Sequence, residues 1–317
     1  MIHSLPGVCY SGFRRGQSPK NGLFPTRDQV LQDLRLLAEQ GFRQLRMYEP
    51  NLHARTVLEL IAAEGLPLRL MLGIDPRAEY HNPDCPWTIE PLTEKEYEEN
   101  AAGNDAQLER LLELAGRYEP YMLALSVGNE NRPSWGSDLV TTERLISFAQ
   151  RLRRGSRLPV TYCEGAWEWP QLAELASELD FIGVHSYPQW NRVPLADAVE
   201  HMRRDRRRIS AALPGKPLVF TEFGWSTDSD SPQMLTAEAS EQSQSAYLRE
   251  ALRWLKDEGI PFFIFEAFDE PWKGGASEHE PEKHWGVFSE DRTPKKVIGE
   301  LRAVSYTHLT LPTILRV

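Results

Sequence analysis

Two glutamates, Glu130 and Glu222, each close a short apolar segment of the sequence. Glu130 follows Leu-Ala-Leu-Ser-Val-Gly-Asn at 123–129, and Glu222 follows Pro-Leu-Val-Phe-Thr at 217–221. A carboxylate is costly to bury and is a poor strand former, so both positions indicate the rim at which a buried strand ends. Paired carboxylates at the C-terminal ends of parallel strands are typical of glycosidic-bond cleavage. One protonates the leaving oxygen while the other faces the anomeric carbon, and in retaining enzymes they lie about 5–5.5 Å apart.

Strand-like apolar segments alternate with amphipathic, helix-like segments along the chain. The strand-like segments lie near residues 7–12, 43–48, 67–73, 121–129, 158–163, 180–185, 217–222 and 261–267. The helix-like segments span Asp28–Gln40, Ala54–Glu64, Glu94–Arg117, Thr141–Arg153, Ala196–Ala212 and Glu241–Glu258. This alternation predicts an α/β protein with a single (β/α)8 TIM barrel, in which Glu130 and Glu222 end strands 4 and 7 and face each other across the barrel. An open doubly wound sheet fits less well, because no glycine-rich phosphate loop follows the first strand.

The regular pattern ends near residue 303. We therefore predict a catalytic barrel over residues 1–303 and a separate tail over residues 304–317. The tail sequence resembles a translated sequencing adapter, so we predict that it is non-native and that the natural C-terminus is missing.

Composition narrows the possible partners. The chain has 317 residues, with 36 Lys and Arg against 46 Asp and Glu, and its net charge of −10 argues against nucleic acid as a partner. The three cysteines have neither disulfide-framework nor metal-site spacing, and no metal or other cofactor is implied. The sequence contains neither a membrane-spanning segment nor a signal-peptide core, which favours a cytoplasmic protein unless an upstream leader has been lost. We expect a monomer.

Several motifs, in the same order along the chain, resemble those of glycoside hydrolase family 17. Val-Gly-Asn-Glu at 127–130 and Thr-Glu-Phe-Gly-Trp at 221–225 resemble the family's acid/base and nucleophile motifs. Further similar motifs lie at 7–11, 46–51, 184–188, 265–273 and 285–288. The resemblance covers nearly the whole chain and implies a barrel that hydrolyses or transglycosylates β-1,3-glucan with retention of configuration.

The resemblance assigns the general acid/base to Glu130 and the nucleophile to Glu222. These roles require surroundings that keep Glu130 protonated and Glu222 ionised. Asn129 can donate to the sugar 2-hydroxyl, and tryptophans that follow strands can stack on pyranose faces. The predicted substrate-binding residues are Asn129, Tyr48, Glu49, Tyr187, Trp225, Glu270, Trp272, Lys273 and Glu282.

Some of these predictions carry a specific local expectation. Tyr187 is expected to hydrogen-bond the nucleophile region, and Glu270, Lys273 and Glu282 are expected to form one polar cluster. Glu49 stands where the family usually has Asp. The tryptophans at 135, 167 and 190 are further candidates for stacking on sugars.

Other polar residues receive supporting roles, and three alternative functions stay open. We expect Glu164 and Glu266 to make supporting hydrogen bonds or ion pairs, and His185 to hold a loop at the rim. The first alternative is a β-1,3-glucan transglycosylase, and the second is a catalytically silent glycan-binding barrel. The third is an enzyme of the same barrel type that acts on a β-1,4-glucan or mannan.

Overall fold

Eight parallel strands close into a barrel in which each strand pairs with the next and β8 pairs back with β1. The computed structural model describes residues 5–87 and 90–306, with side chains through residue 301. The strands β1 to β8 span Gly7–Cys9, Gln44–Met47, Arg69–Gly73, Met122–Asn129, Val160–Gly165, Ile182–His185, Leu218–Phe223 and Phe262–Ile264. The predicted (β/α)8 barrel is confirmed.

Helices surround the barrel and cover its outer face. The helices α1 to α8 span Arg27–Glu39, Leu52–Glu64, Glu94–Tyr118, Thr142–Gly155, Ala173–Ser177, Ala198–Ala212, Glu241–Asp257 and Val297–Tyr306. Two of them begin at capping boxes that satisfy free backbone N–H groups, Thr26 with Gln29 at α1 and Thr93 with Glu96 at α3. In the part of the chain that the structure describes, no helix is long and apolar enough to cross a membrane.

The apolar core has two layers. The larger layer lies between the strands and the helices, and the smaller one includes buried side chains such as Met71, Ala124, Cys163 and Phe263. The three cysteines are free and buried. Because neighbouring side chains on a strand point to opposite faces, six strands contribute to both layers, whereas β2 and β6 contribute only to the larger one.

A buried ion cluster joins α1 to the segments that follow the first and the last strand, β1 and β8. The fully buried Asp33 accepts hydrogen bonds from Arg14 at 2.9 Å, from Arg292 at 2.8 Å and from the Tyr10 hydroxyl at 3.2 Å. Charged hydrogen bonds satisfy this carboxylate, which would otherwise be costly to bury. The cluster therefore fixes the closure of the barrel where the first and last strands meet.

The fold corrects one sequence-based expectation about the strands, and one helix crosses the predicted domain boundary. β4 and β7 are not diametrically opposite, because β5 and β6 lie between them on one side of the barrel. The last helix, Val297–Tyr306, continues past residue 304, where the predicted tail begins. The rest of that tail, residues 307–317, lies outside the described residues.

Candidate active site

The two predicted catalytic glutamates lie close together in one cleft at the C-terminal ends of the strands. Glu222 belongs to β7 and Glu130 directly follows β4. One carboxylate oxygen of each, together with a ring nitrogen of His185, lies within 4.8 Å of the others. The cleft has a volume of about 1290 Å³, and both carboxylates line it. This is the face on which barrel enzymes place their catalytic residues.

Glu222 is buried and held by three donors. Arg46 of β2 donates to its Oε1, as does the Tyr48 hydroxyl at 3.0 Å, and the Tyr187 hydroxyl donates to Oε2 at 2.5 Å. Burial alone would raise the pKa of Glu222, but the charges of His185 and Arg46 and the hydrogen bonds from Tyr187 and Arg46 lower it to about 2. The carboxylate is therefore ionised at neutral pH and fixed in orientation, and the expected contact from Tyr187 is present.

His185, the last residue of β6, bridges the two carboxylates. Its Nδ1 lies 2.7 Å from Oε1 of Glu130, and its Nε2 lies 3.4 Å from Oε1 of Glu222. Burial would lower the pKa of His185, but the charge of Glu222 and hydrogen bonds with Cys163 and Glu130 raise it to about 10. The ring is therefore an imidazolium at neutral pH. Its Nδ1 donates to Glu130, and its Nε2 forms an ion pair with Glu222 without a hydrogen bond.

The same three groups are also the donor types that bind metal ions. Glu130, His185 and Glu222 could each offer one ligand atom. An imidazole must be neutral to ligate a metal, whereas the pKa of His185 is raised, and Arg46 already neutralises the charge of Glu222. In this structure Nδ1 of His185 already contacts Glu130 and Oε1 of Glu222 already accepts from Arg46, so a metal ion would have to replace both contacts.

The backbone at Glu130 adopts an unusual conformation. Its φ of 51° lies in the left-handed region, which residues other than glycine rarely adopt and which costs about 1–2 kcal/mol. The Glu130 N–H donates to the carbonyl of Cys163 at 3.0 Å, which anchors this turn to β5. The side chain of Glu130 is 26% exposed, compared with 7% for Glu222. Glu130 is thus the more accessible carboxylate.

Asn129 is oriented by its neighbours. Its Oδ1 accepts from Nη2 of Arg46 at 2.5 Å, and its backbone N–H donates to Asn131 at 2.9 Å. Because Arg46 occupies the amide oxygen, the NH2 group is the part of Asn129 that can donate to a substrate hydroxyl. Arg46 therefore positions both the nucleophile candidate and Asn129.

A second charged cluster lies in the loop after β8. The Lys273 ammonium is 2.7 Å from Glu266 and 2.7 Å from Glu270, and all three side chains are largely or completely buried. Burial, partly offset by Lys273, raises the pKa of Glu282 to about 7. Glu270, Lys273, Glu282 and the half-buried Trp272 line the same cleft. The predicted cluster thus contains Glu266 as well.

The side chain of Trp225 does not line the cleft, so the prediction that Trp225 binds substrate is wrong. Its side chain is 0% exposed, packs 5.2 Å from the ring of Tyr247 on α7, and donates through Nε1 to the carbonyl of Glu238 at 2.9 Å. The residue directly follows β7, but its side chain points outward into the helix layer. A position directly after a strand therefore does not by itself place a side chain in the cleft.

Two rim residues have partners other than a substrate. Glu49 forms an ion pair with Arg77 at 3.4 Å and accepts from Asn51 at 3.3 Å, while still lining the cleft. Glu164 on β5 accepts from the Tyr162 hydroxyl at 2.6 Å and from the backbone of Arg132 at 3.1 Å. Burial and the nearby charge of Glu130 raise the pKa of Glu164 to about 8.

The sequence-based list omitted Arg46 and gave His185 only a loop-holding role. Both residues contact Glu222 directly. A detectable signal was present in β2, where Gln44 and Arg46 alternate with apolar residues although every residue of the strand is buried. Polar side chains on the inner face of a barrel strand indicate a site inside the barrel.

Comparison with known proteins places the chain among glycan-active proteins. A family model described as the BtgE/BtgC glycoside hydrolase domain matches residues 7–286. A curated relative, a glucan 1,3-beta-glucosidase from Schizosaccharomyces pombe, is 32% identical over 122 residues, which cover 37% of this chain and 37% of the relative. The match therefore spans well under half the length of that relative.

Two solved structures share the fold. An endo-laminarinase from Formosa Hel1_33_131 superposes with a TM-score of 0.77 at 21% identity, covering 97% of this chain and 89% of that one. An active-site mutant of Rhizomucor miehei beta-1,3-glucanosyltransferase in complex with laminaritriose superposes with a TM-score of 0.71 at 21% identity, covering 93% and 96%. At these identities the similarity shows a common barrel fold.

Proposed function

The chain belongs to the BtgE/BtgC glycoside hydrolase domain family, and from this premise we propose that it cleaves β-1,3-linked glucan by double displacement with retention of configuration. In this proposal Glu222 is the nucleophile and Glu130 the general acid/base. The substrate class follows the names of the similar proteins, which are a glucan 1,3-beta-glucosidase, an endo-laminarinase and a β-1,3-glucanosyltransferase.

The spacing of the two carboxylates carries the mechanistic part of the proposal. Oxygens of Glu130 and Glu222 lie within 4.8 Å of each other. Retaining glycosidases hold their carboxyl groups about 5–5.5 Å apart, whereas inverting enzymes need about 6.5–9.5 Å to admit a water molecule. The observed spacing supports direct attack by one carboxylate on the sugar.

The surroundings of Glu222 support its role as the nucleophile. Arg46, Tyr48 and Tyr187 stabilise the ionised form of Glu222, as a nucleophile requires. Glu222 attacks the anomeric carbon, the glycosidic bond breaks, and Glu130 gives its proton to the leaving oxygen. In the second step the oxygen of a water molecule or of a sugar hydroxyl attacks the anomeric carbon, Glu130 takes the proton of that oxygen, and the bond to Glu222 breaks.

Product analysis tests the reaction and its linkage. The protein is incubated with laminari-oligosaccharides, with cello- and manno-oligosaccharides in parallel. Shorter products alone indicate a hydrolase, and products longer than the substrate indicate a transglycosylase. Cleavage of only the β-1,4 substrates would overturn the β-1,3 assignment. If no substrate is cleaved and Glu222→Gln binds laminarihexaose as the wild type does, the chain is a glycan-binding barrel.

Azide rescue tests the two roles. With an activated aryl glycoside, Glu222→Ala is expected to regain turnover in azide and to give the α-glycosyl azide, because azide replaces the nucleophile. Glu130→Ala is expected to give the β-glycosyl azide, because azide then attacks the glycosyl-enzyme. The reverse pattern of anomers would refute the assignment. Glu222→Gln serves as the folding control, since it keeps the size of the side chain.

A further inference from the structure

A buried carboxylate, Asp205, interrupts a run of five arginines on α6. The run spans residues 203–208, and Asp205 lies on the buried face of the helix together with Met202 and Ile209. A carboxylate at such a position is costly unless charged or polar groups satisfy it. The catalytic steps do not involve Asp205, so the groups that contact it indicate what this side chain does.

Groups from two elements contact the Asp205 carboxylate. On the same helix, Arg208 donates to its Oδ1 at 3.1 Å, and Nε2 of His201 lies 3.5 Å from its Oδ2. Arg208 is itself held 3.7 Å from the ring centroid of Trp167. From the barrel, the Ser186 hydroxyl donates to Oδ2 at 2.7 Å. Because a hydrogen bond to a carboxylate is stronger than one between neutral groups, Ser186 ties the end of β6 to α6.

Ser186 lies between two residues that contact Glu222. His185 precedes it and places Nε2 3.4 Å from Oε1 of Glu222, and Tyr187 follows it and donates to Oε2 at 2.5 Å. Side chains alternate along an extended segment, so Ser186 points outward to α6 while its two neighbours point into the barrel. The Ser186 N–H also donates to the carbonyl of Glu222 at 3.1 Å. The position of Ser186 therefore sets the positions of both neighbours relative to Glu222.

The end of β6 is not held by regular strand pairing. The register between β6 and β7 shifts between Val184 and His185, and beyond the shift His185 comes opposite Glu222. Such an irregularity disrupts the ladder locally, so other contacts must set the direction of the side chains that follow. The hydrogen bond from Ser186 to Asp205 is a contact of this kind.

We propose that Asp205 is a positioning residue for the nucleophile and that it acts through the Ser186 hydroxyl. The hydrogen bond holds the end of β6 against α6, which keeps His185 and Tyr187 at their observed distances from Glu222. The inference rests on the proposed function and adds a group in the helix layer that maintains the geometry of the nucleophile.

Ser186→Ala removes the hydroxyl and leaves the contact between Asp205 and Arg208 in place. Its kcat for laminarihexaose is expected to fall about tenfold, because a small displacement of a catalytic group is costly in rate. KM is expected to stay within about twofold of wild type, because the lost contact does not bind substrate. The acidic limb of kcat/KM is expected at a higher pH than in the wild type, because displaced donors stabilise the ionised Glu222 less.

A double-mutant cycle tests whether Ser186 and Asp205 act as one unit. Asp205→Ala removes the acceptor and is expected to lower kcat to a similar extent. The double variant is expected to be no slower than the slower single variant, because both changes remove the same hydrogen bond. Losses that multiply to about a hundredfold would contradict this.

Thr161→Val is the matched control for the loss of a buried hydroxyl. Thr161 on β5 is buried and donates to the carbonyl of Phe181 at 2.8 Å. The variant is expected to lower Tm while leaving the acidic limb in place. Thermal melts of all variants check that they fold, and if Asp205→Ala does not fold, Ser186→Ala alone decides.

An NMR titration of the His185 ring gives a readout that does not require turnover. Burial lowers the pKa of His185, but the charge of Glu222 and hydrogen bonds with Cys163 and Glu130 raise it to about 10. Displacement of the ring from Glu222 is therefore expected to lower this pKa in Ser186→Ala. His185→Gln identifies the His185 signals.

The outcomes separate this inference from the proposed function. If the wild type is active, an unchanged kcat in Ser186→Ala, or a fall in kcat with an unmoved acidic limb, would overturn the positioning role and leave the glucanase assignment intact. If the wild type cleaves no β-glucan, the proposed function fails and the His185 titration decides. A lower pKa in Ser186→Ala then supports the role of Asp205 and Ser186, and an unchanged pKa refutes it.

Discussion

Replacing His185 with glutamine is expected to raise the pKa of Glu222. In the native site this pKa falls from 4.5 to about 2, so the ionised form is favoured by about 3 kcal/mol even though burial opposes ionisation. His185 is the largest of the contributions that lower it. Two opposite unit charges 3.4 Å apart interact by about 5 kcal/mol at an effective dielectric constant of about 20.

When this charge is lost, only Arg46 and the two tyrosine hydroxyls stabilise the ionised form of Glu222, while burial still opposes its ionisation. We therefore expect the pKa of Glu222 to return to about 4.5 or higher. The acidic limb of kcat/KM for laminarihexaose is expected to appear near that pH in His185→Gln, whereas the wild type is expected to hold its activity down to the pH at which the protein unfolds.

The same substitution is expected to change how stability depends on pH. The lowered pKa of Glu222 stabilises the fold above pH 4.5, and this contribution is lost as the pH falls towards about 2. The raised pKa of His185 stabilises the fold below pH 6.5, and this contribution is lost as the pH rises through about 10. His185→Gln is therefore expected to lose most stability between pH 4.5 and 6.5.

Rate profiles and urea titrations across pH 3–9 measure both effects. His279→Gln is the matched control, because His279 is exposed and its Asp228 partner lies outside the cleft. An acidic limb in His185→Gln that coincides with that of the wild type would show that the imidazolium does not set the ionisation of Glu222.

Three further substitutions test other parts of the structure. Trp225→Phe is expected to lower the free energy of unfolding by about 1–2 kcal/mol, because the Glu238 carbonyl loses its donor, and to leave KM for laminarihexaose unchanged. A raised KM would show that Trp225 contributes to substrate binding. Lys273→Met removes the ammonium that lies 2.7 Å from both buried carboxylates, so urea titrations at pH 7 are expected to show a loss of about 3–5 kcal/mol. An unchanged urea midpoint would contradict this. Asp33→Asn removes the negative charge that pairs with the guanidinium groups of Arg14 and Arg292, and it is expected to lower the free energy of unfolding by about 3 kcal/mol without altering kcat/KM. An unchanged Tm in a thermal melt would refute the structural role of the cluster.

The barrel and the two glutamates could be predicted from sequence because they depend on local signals. Apolar segments and amphipathic segments alternate with the correct periods, and a carboxylate at a strand end is visible in the sequence itself. The roles of Arg46 and His185 depend on closure of the barrel, which brings β2 and β6 to Glu222 of β7. Contacts between residues so far apart in the chain have no local sequence signal.

The incorrect prediction for Trp225 has a different physical cause. Its place after a strand is correct, but a strand-end side chain points either to the barrel interior or to the helices, and α7 supplies Tyr247 as an apolar partner on the outside. For Trp167 the same pattern leads to the cleft, where Arg208 holds the ring. Orientation at a loop is set by tertiary packing, which one sequence does not reveal.

The left-handed backbone at Glu130 has an evolutionary consequence. Glycine adopts such a conformation without the penalty that glutamate incurs, so Glu130→Gly removes the strain together with the acid. Selection for yield or heat resistance alone would therefore favour loss of this side chain, whereas selection for turnover retains it if Glu130 has its proposed role. Screens for more stable versions of the barrel therefore need an activity step in every round, because the proposed general acid/base is also a residue whose replacement by glycine relieves backbone strain.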